Sequence, residues 1–343
     1  MSIWISRLAA LATVLAFVVV VLGAWTRLVD AGLGCPDWPG CYGFLGVPAS
    51  EAEVGIAESR FPHAPVESHK AWPEMIHRYF AGTLGLVVFI IAGLALWGRH
   101  EANQPWRLGL ALATLVVVQA AFGMWTVTLK LWPQVVTAHL LGGVATLSLL
   151  WWLTLSRYWH PPPSAARTWL RRLAVTGLAV TVIQVALGGW VTSNYAALAC
   201  PDFPTCQGAW WPEMDFGKGF DLAQDIGPNY LGGLVDNDAR VAIHVAHRVG
   251  ALVTTLVLVA LGVSLMRRSV GLAPLGGAVL VAVAVQLALG IGNVVWSIPL
   301  PVATAHNAGG ALLLLVMVTV SYRLFHRERL SQGRLDRGVR THA

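Results

Sequence analysis

Four histidines, His77, His139, His247 and His306, stand just inside apolar stretches of a 343-residue chain, two in each half. Neutral imidazole is a metal ligand through either ring nitrogen, and two imidazoles facing each other from separate helices suit haem iron. Zinc and copper also accept imidazole, but no short-range cluster of His, Cys and carboxylate lies within the apolar stretches. Glu74 stands three residues before His77, where the second half has His244 before His247. Residues three apart share a helix face, so a carboxyl accompanies the first histidine pair only. Partly buried, that carboxyl could move protons or stabilise positive charge developing on a substrate. It could equally be a helix-start acid favoured by the dipole.

Arg78 and Arg248 directly follow their histidines. In lipid they would be costly, so each faces the interior, snorkels outwards as an anchor, or meets an anion such as a haem propionate. The four cysteines form two pairs of equal spacing, Cys35 with Cys41 and Cys200 with Cys206. Two disulfides in an oxidising compartment are expected. Each pair could brace its loop, and Cys35–Cys41, near the carboxyl, could also exchange two electrons. His63, His69, His100, His160, His326 and His342 fall in loops or tails and read as solvated surface.

The elements that must position these residues are membrane helices. Hydrophobic residues make up 56% and charged residues 12% of the chain, and its mean hydropathy is +0.63, beyond what a soluble domain needs. Apolar stretches of about 20 residues, enough to cross a bilayer, lie near 8–27, 73–97, 108–128, 133–155, 169–191, 241–265, 272–294 and 301–322. The first lacks an A-x-A cleavage site and has a later counterpart, so it is kept in the mature fold. Pro73, Pro133 and Pro301 read as first-turn residues, where a missing N–H does no harm. All four histidines would then share one depth near one face.

The chain also repeats itself. Cys35-Pro-Asp-Trp-Pro-Gly-Cys41 returns as Cys200-Pro-Asp-Phe-Pro-Thr-Cys206, His77-Arg78 as His247-Arg248, and Thr137-Ala-His139 as Thr304-Ala-His306. The fold class expected is an all-α integral membrane protein of eight helices, arranged as two tandem pseudo-symmetric four-helix bundles with a planar ligand clamped in each. The first bundle spans 1–155, a linker containing His160-Pro-Pro-Pro163 spans 156–168, the second bundle spans 169–325, and a basic tail spans 326–343. Gln119, Gln184 and Gln286 precede glycines by one turn in helices that end alike, and close helix contact is their expected purpose.

Arginines concentrate on one side of this eight-span topology, and the acids concentrate in the two long loops, 28–72 and 192–239, on the other. Both termini are then cytoplasmic. The net charge of +6 reflects this topology and the lipid bilayer it meets, and gives no ground for nucleic-acid binding.

Taken together, Gly23-Ala-Trp-Thr-Arg27-Leu-Val-Asp30-Ala-Gly-Leu-Gly-Cys35-Pro-Asp-Trp-Pro-Gly-Cys41, Glu74-Met-Ile-His77-Arg78, His139, His247-Arg248 and His306 resemble the heme A synthase family of bacterial plasma and mitochondrial inner membranes, over nearly the whole chain. The resemblance implies an oxidoreductase that converts the C8 methyl of haem O to the formyl of haem A through hydroxylated intermediates, for cytochrome oxidase. It implies that His247 and His306 ligate a cofactor haem b, and that His77 and His139 flank the substrate haem O with Glu74 as the acid near the reacting methyl. Arg78 and Arg248 are the expected propionate partners. A haem O synthase and a membrane electron acceptor are the partners implied, and self-association as a homo-oligomer stays open. The rival reading is a di-haem b electron carrier, which gives no reason for an acid at Glu74 only.

Overall fold

A computed structural model describes residues 2–101, 103–162, 166–268 and 270–326. Ten α-helices occur among the described residues: α1 Ser2–Leu28, α2 Glu51–Arg60, α3 Ser68–Trp97, α4 Trp106–Thr128, α5 Pro133–Tyr158, α6 Thr168–Ser193, α7 Phe216–Gly219, α8 Asn237–Arg268, α9 Ala273–Val295 and α10 Leu300–Phe325. All but α2 and α7 are long and apolar enough to cross a membrane, giving eight spans. There is no strand among the described residues, only two isolated bridges, Cys41 with Phe44 and Cys206 with Ala209. The protein is an all-helical, multi-pass membrane protein. The basic tail beyond His326 lies outside the described residues, as does part of the linker.

Helix α1 packs on α3 and α5, and α4 packs on the same two. In the second half α6 and α9 each pack on both α8 and α10. Across the middle α1, α5, α6 and α10 meet. Apolar cores fill the inner parts of both groups: Ile5, Val88, Ile91, Leu112, Leu147 and Leu153 in one, and Leu170, Leu258, Leu265, Val279, Met317 and Leu324 in the other. Both stop short of the histidines. Small residues let the helices close up: a Cβ on Gly109 would lie 3.2 Å from Ala92 Cα, and one on Gly262 would lie 3.1 Å from the Gly276 carbonyl.

Three helices begin four or more residues earlier than apolar length suggests, α1 at Ser2 among them. Helix α3 starts at Ser68, so Pro73 sits inside it and not in its first turn. Ser68-His69-Lys70 are polar yet compatible with helix, and apolar length marks the membrane-crossing part only. His69 is thus helical, and it is exposed. Helix α8 likewise begins at Asn237. Pro133 and Pro301 do occupy first-turn positions.

The four spans that lead into a histidine helix end in one way. Gly23, Gly123, Gly188 and Gly290 each stand five residues before the last residue of α1, α4, α6 and α9, about 7.5 Å from the end. Seven residues after each glycine the backbone turns left-handed at a non-glycine residue: Asp30 (φ 55°), Lys130 (φ 49°), Tyr195 (φ 54°) and Ser297 (φ 54°). Such residues are uncommon, and their recurrence makes four versions of one helix-end geometry.

Candidate functional site

That shared geometry brings each glycine against a histidine of the next span. A Cβ on Gly23 would lie 2.9 Å from His77 Cε1; the matching distances are 3.4 Å from Gly123 to His139, 3.2 Å from Gly188 to His247 and 3.1 Å from Gly290 to His306. Each imidazole therefore rests edge-on against the bare backbone of its neighbour. His77 stands on α3 and His139 on α5 in the first group of helices, and His247 stands on α8 and His306 on α10 in the second. All four keep accessible surface although they lie deep in the protein. Nδ1 of His77, His139 and His306 is buried without a hydrogen-bond partner, whereas Nδ1 of His247 lies 3.0 Å from Gln184 Nε2.

This donor set fits haem: two imidazoles from separate helices in each half, with a buried ring nitrogen left without a hydrogen bond on His77, His139 and His306. Among the described residues no three His, Cys, Asp or Glu side chains converge, so the donor arrangement differs from a site made of several short-range ligands.

Above the histidines lie the two cysteine loops, closed by disulfides Cys35–Cys41 and Cys200–Cys206. Asp37 accepts the backbone N–H groups of Tyr42 at 2.6 Å and Gly43 at 2.7 Å, and Asp202 does the same for Gln207 and Gly208. Both turns need positive φ at two successive residues, Tyr42 and Gly43 (54°, 77°) and Gln207 and Gly208 (54°, 74°), which is why glycine holds the second place. A hydrogen bond from the Thr205 hydroxyl to Asp202 holds that carboxyl below the usual range.

Each loop is then fastened to the histidine helix by its arginine. Arg78 donates to the carbonyls of Asp37, Pro39 and Gly40 and forms an ion pair with Glu74. Arg248 donates to the carbonyls of Cys200, Asp202 and Thr205. These loop carbonyls are partners that the sequence reading did not name. A motif arginine next to a loop with equal spacing in both halves was the available signal. Arg248 Nε stays buried without a hydrogen-bond partner.

Glu74 is buried. One oxygen takes the Arg78 pair, and the other, Oε2, accepts the Cys35 N–H at 2.9 Å. The sequence pattern brings Glu74, His77, Arg78 and the Cys35–Cys41 loop together at one end of α3.

The halves are joined at this level. Arg27 lies 3.8 Å over the Tyr195 ring and donates to the Thr192 carbonyl at 2.8 Å. The second long loop reaches across to the α4–α5 turn: Tyr230 N donates to the Lys130 carbonyl at 3.0 Å, and Trp132 Nε1 to that of Gln224 at 3.2 Å. Neither contact was legible in the sequence, because nothing in residue spacing aligns a loop of one half with a turn of the other.

Eight membrane-crossing helices, a histidine pair in each half and disulfide loops clamped over them define a multi-pass helical membrane protein with two related histidine sites. Comparison with known proteins narrows this class. The COX15-CtaA family, described as cytochrome oxidase assembly protein, matches residues 6–318. A Heme A synthase of Shewanella oneidensis is 44% identical over 94% of this chain and 97% of its own length. Heme A synthases of Rhizorhabdus wittichii and Caulobacter sp. (strain K31) are 29% and 28% identical, over 92% and 91% of this chain and 92% and 93% of theirs. The chain belongs to the COX15-CtaA family.

Proposed function

We propose that this protein is a heme A synthase, an oxidoreductase that takes haem O to haem A by oxidising the C8 methyl to a formyl. Membership of the family and the names of its relatives support the reaction. The observation that carries the division of labour is the buried Glu74 beside one histidine pair, matched by His244 beside the other. The first four spans (1–155) form the bundle for substrate haem O, held between His77 and His139. The last four (169–325) form the bundle for a cofactor haem b, held between His247 and His306, with 156–168 as linker and 326–343 as tail. When bound, haem b supplies one-electron transfer.

The protein's own groups do the rest. The glycines bring the imidazoles close to the neighbouring helix, and Arg78 and Arg248 keep the cysteine loops over the outer ends of the sites, limiting water entry. Glu74 is fixed by Arg78 and the Cys35 N–H, so its carboxylate stands ready to take or return a proton, or to stabilise positive charge on the substrate's reacting carbon. The bilayer is the bacterial plasma membrane, with both termini cytoplasmic and the disulfide loops outside. Partners are a haem O synthase as supplier and a membrane electron acceptor.

The test is mass spectrometry of haems extracted from the protein after co-expression with a haem O synthase, beside a Glu74→Gln control. Haem A or its hydroxylated precursor with haem b, absent in the control, is the expected result. Two haem b per chain in both would favour a di-haem electron carrier.

A further inference from the structure

Three of the four histidines share a neighbour that the fourth lacks. Gln184 Nε2 donates to the His247 carbonyl at 3.0 Å, and Gln286 Nε2 donates to that of His306 at 3.0 Å. These amides lie across glycines three residues beyond the histidine, Gly250 and Gly309, each with its oxygen nearest, and Gln119 lies against Gly142, three beyond His139, with its nitrogen nearest; a Cβ at any of the three would collide with the amide. The sequence repeat aligns Val19 with Gln184 and Phe80 with Gly250. Val19 and an exposed Phe80 thus stand at His77 where glutamine and glycine stand at His247.

The turn carrying His77 is held differently. Thr26 Oγ1 donates to the Pro73 carbonyl at 3.2 Å, one turn earlier, and Pro73 takes an N–H out of the helix ladder. Among the described residues no side chain donates to the carbonyl of His77 or of His139, but His139 still has the Gln119 amide against its helix at Gly142, and His77 has none.

We propose that Gln119, Gln184 and Gln286 are positioning residues that fix their histidines, and that the Val19–Phe80 pair leaves His77 as the one imidazole of the four that readily gives up iron. This rests on the haem reading above and adds to it how the first site admits a substrate haem and releases the product, while the second keeps its cofactor. Outer residues that orient a metal-binding histidine typically change metal affinity by about 10–100-fold, enough to separate a retained haem from an exchanged one.

The experiment follows carbon monoxide uptake by reduced haem, because carbon monoxide must displace one imidazole. Each bundle is read alone in the full chain, the other being emptied by His247→Ala or His139→Ala, with haem content measured in every sample. The first bundle is expected to take up carbon monoxide about tenfold or more faster than the second. Rebuilding the pair with Val19→Gln and Phe80→Gly is expected to slow the first bundle to the rate of the second. Gln184→Val, a single change at an existing glycine contact, is expected to speed the second about tenfold, and it decides the matter if the rebuilt protein does not fold. Equal rates in the two bundles, or an unchanged rate in Gln184→Val, would overturn the inference while leaving haem binding intact. A protein that binds haem in neither bundle would overturn the haem reading as well.

Discussion

Glu74 and His244 hold the same backbone group in the two halves: Glu74 Oε2 accepts the Cys35 N–H at 2.9 Å, and His244 Nδ1 accepts the Cys200 N–H at 3.4 Å. A structural duty common to both halves is therefore met by a charged group in one and an imidazole in the other. Loop anchoring alone does not require a carboxylate. What the carboxylate adds is a second oxygen, an ion pair with Arg78, and an ionisable group next to His77.

Substitutions can separate the two duties. Glu74→Gln keeps an oxygen for the Cys35 N–H but loses the charge. It is expected to fold, keep Cys35–Cys41 and retain haem b, while haem A formation falls by about 100-fold or more. Glu74→Ala also removes the acceptor of the Cys35 N–H and leaves Arg78 held by the loop carbonyls alone, so its Cys35–Cys41 bond should be reduced faster by a soluble thiol. Product ratios by mass spectrometry and the rate of disulfide reduction read the two effects apart. Equal haem A formation in Glu74→Gln and the parent protein would leave Glu74 with loop anchoring only.

A Cβ at Gly23 meets His77 at 2.9 Å, and one at Gly123 meets His139 at 3.4 Å. The first is too close for any real side chain, and the second needs little adjustment. Gly23→Ala should therefore turn the His77 ring away and weaken haem retention in the first bundle, with Gly123→Ala milder. The haem O to haem b ratio in purified protein checks the order, and an equal loss from both would show that ring contact does not set it.

The spans, the histidines and the cysteine pairs were legible because each leaves a signal in one dimension: apolar length, residue type, equal spacing. The start of α3 was not, because Ser68-His69-Lys70 extend the helix beyond the apolar part. The glycine against each histidine was visible only as a recurrent residue at the end of a span. Its partner lies in another helix, 54 residues on for Gly23 and His77 but 16 for Gly123 and His139, so no single spacing reveals the pairing. The loop partners of the arginines were not legible for a related reason. Burial next to a histidine suggests an anion, but the backbone carbonyls of a docked loop satisfy a guanidinium as well.

The loop around Asp202 should loosen in acid. Its carboxyl is held below the usual range by the Thr205 hydroxyl and the Gly208 and Gln207 amides. A group with a depressed folded value contributes stability above its unfolded value, and that contribution is lost as pH falls through the folded one. Hydrogen exchange at Gln207 and Gly208, corrected for the intrinsic pH effect, is expected to be protected near neutrality and to lose protection below the ordinary aspartate range of about 4. In Asp202→Asn the protection should be lower throughout and no longer depend on pH in this window. Constant protection in the parent protein across the window would show that the charge is not what holds the turn.

Arg27 joins the halves through two contacts of different kinds, a stack on Tyr195 and a hydrogen bond to the Thr192 carbonyl. Asp30 completes the cluster, 3.9 Å from Arg27 and accepting the Tyr195 hydroxyl at 3.3 Å. Only a planar guanidinium can stack and donate sideways at once, and a partly desolvated cation over an aromatic ring contributes about 1–2 kcal/mol. Arg27→Lys is expected to lose most of the stack while keeping the charge, and Tyr195→Leu to lose it from the other side. If the stack is the link, the double variant will be less destabilised than the sum of the single ones by about 1 kcal/mol, measured by reversible unfolding in detergent. Additive losses would place the link in the Thr192 bond, which Tyr195→Leu leaves intact. Because α1 carries both Arg27 and Gly23, one turn apart, loosening this link should also disturb the seat of His77 and lower the haem O to haem b ratio in Arg27→Lys.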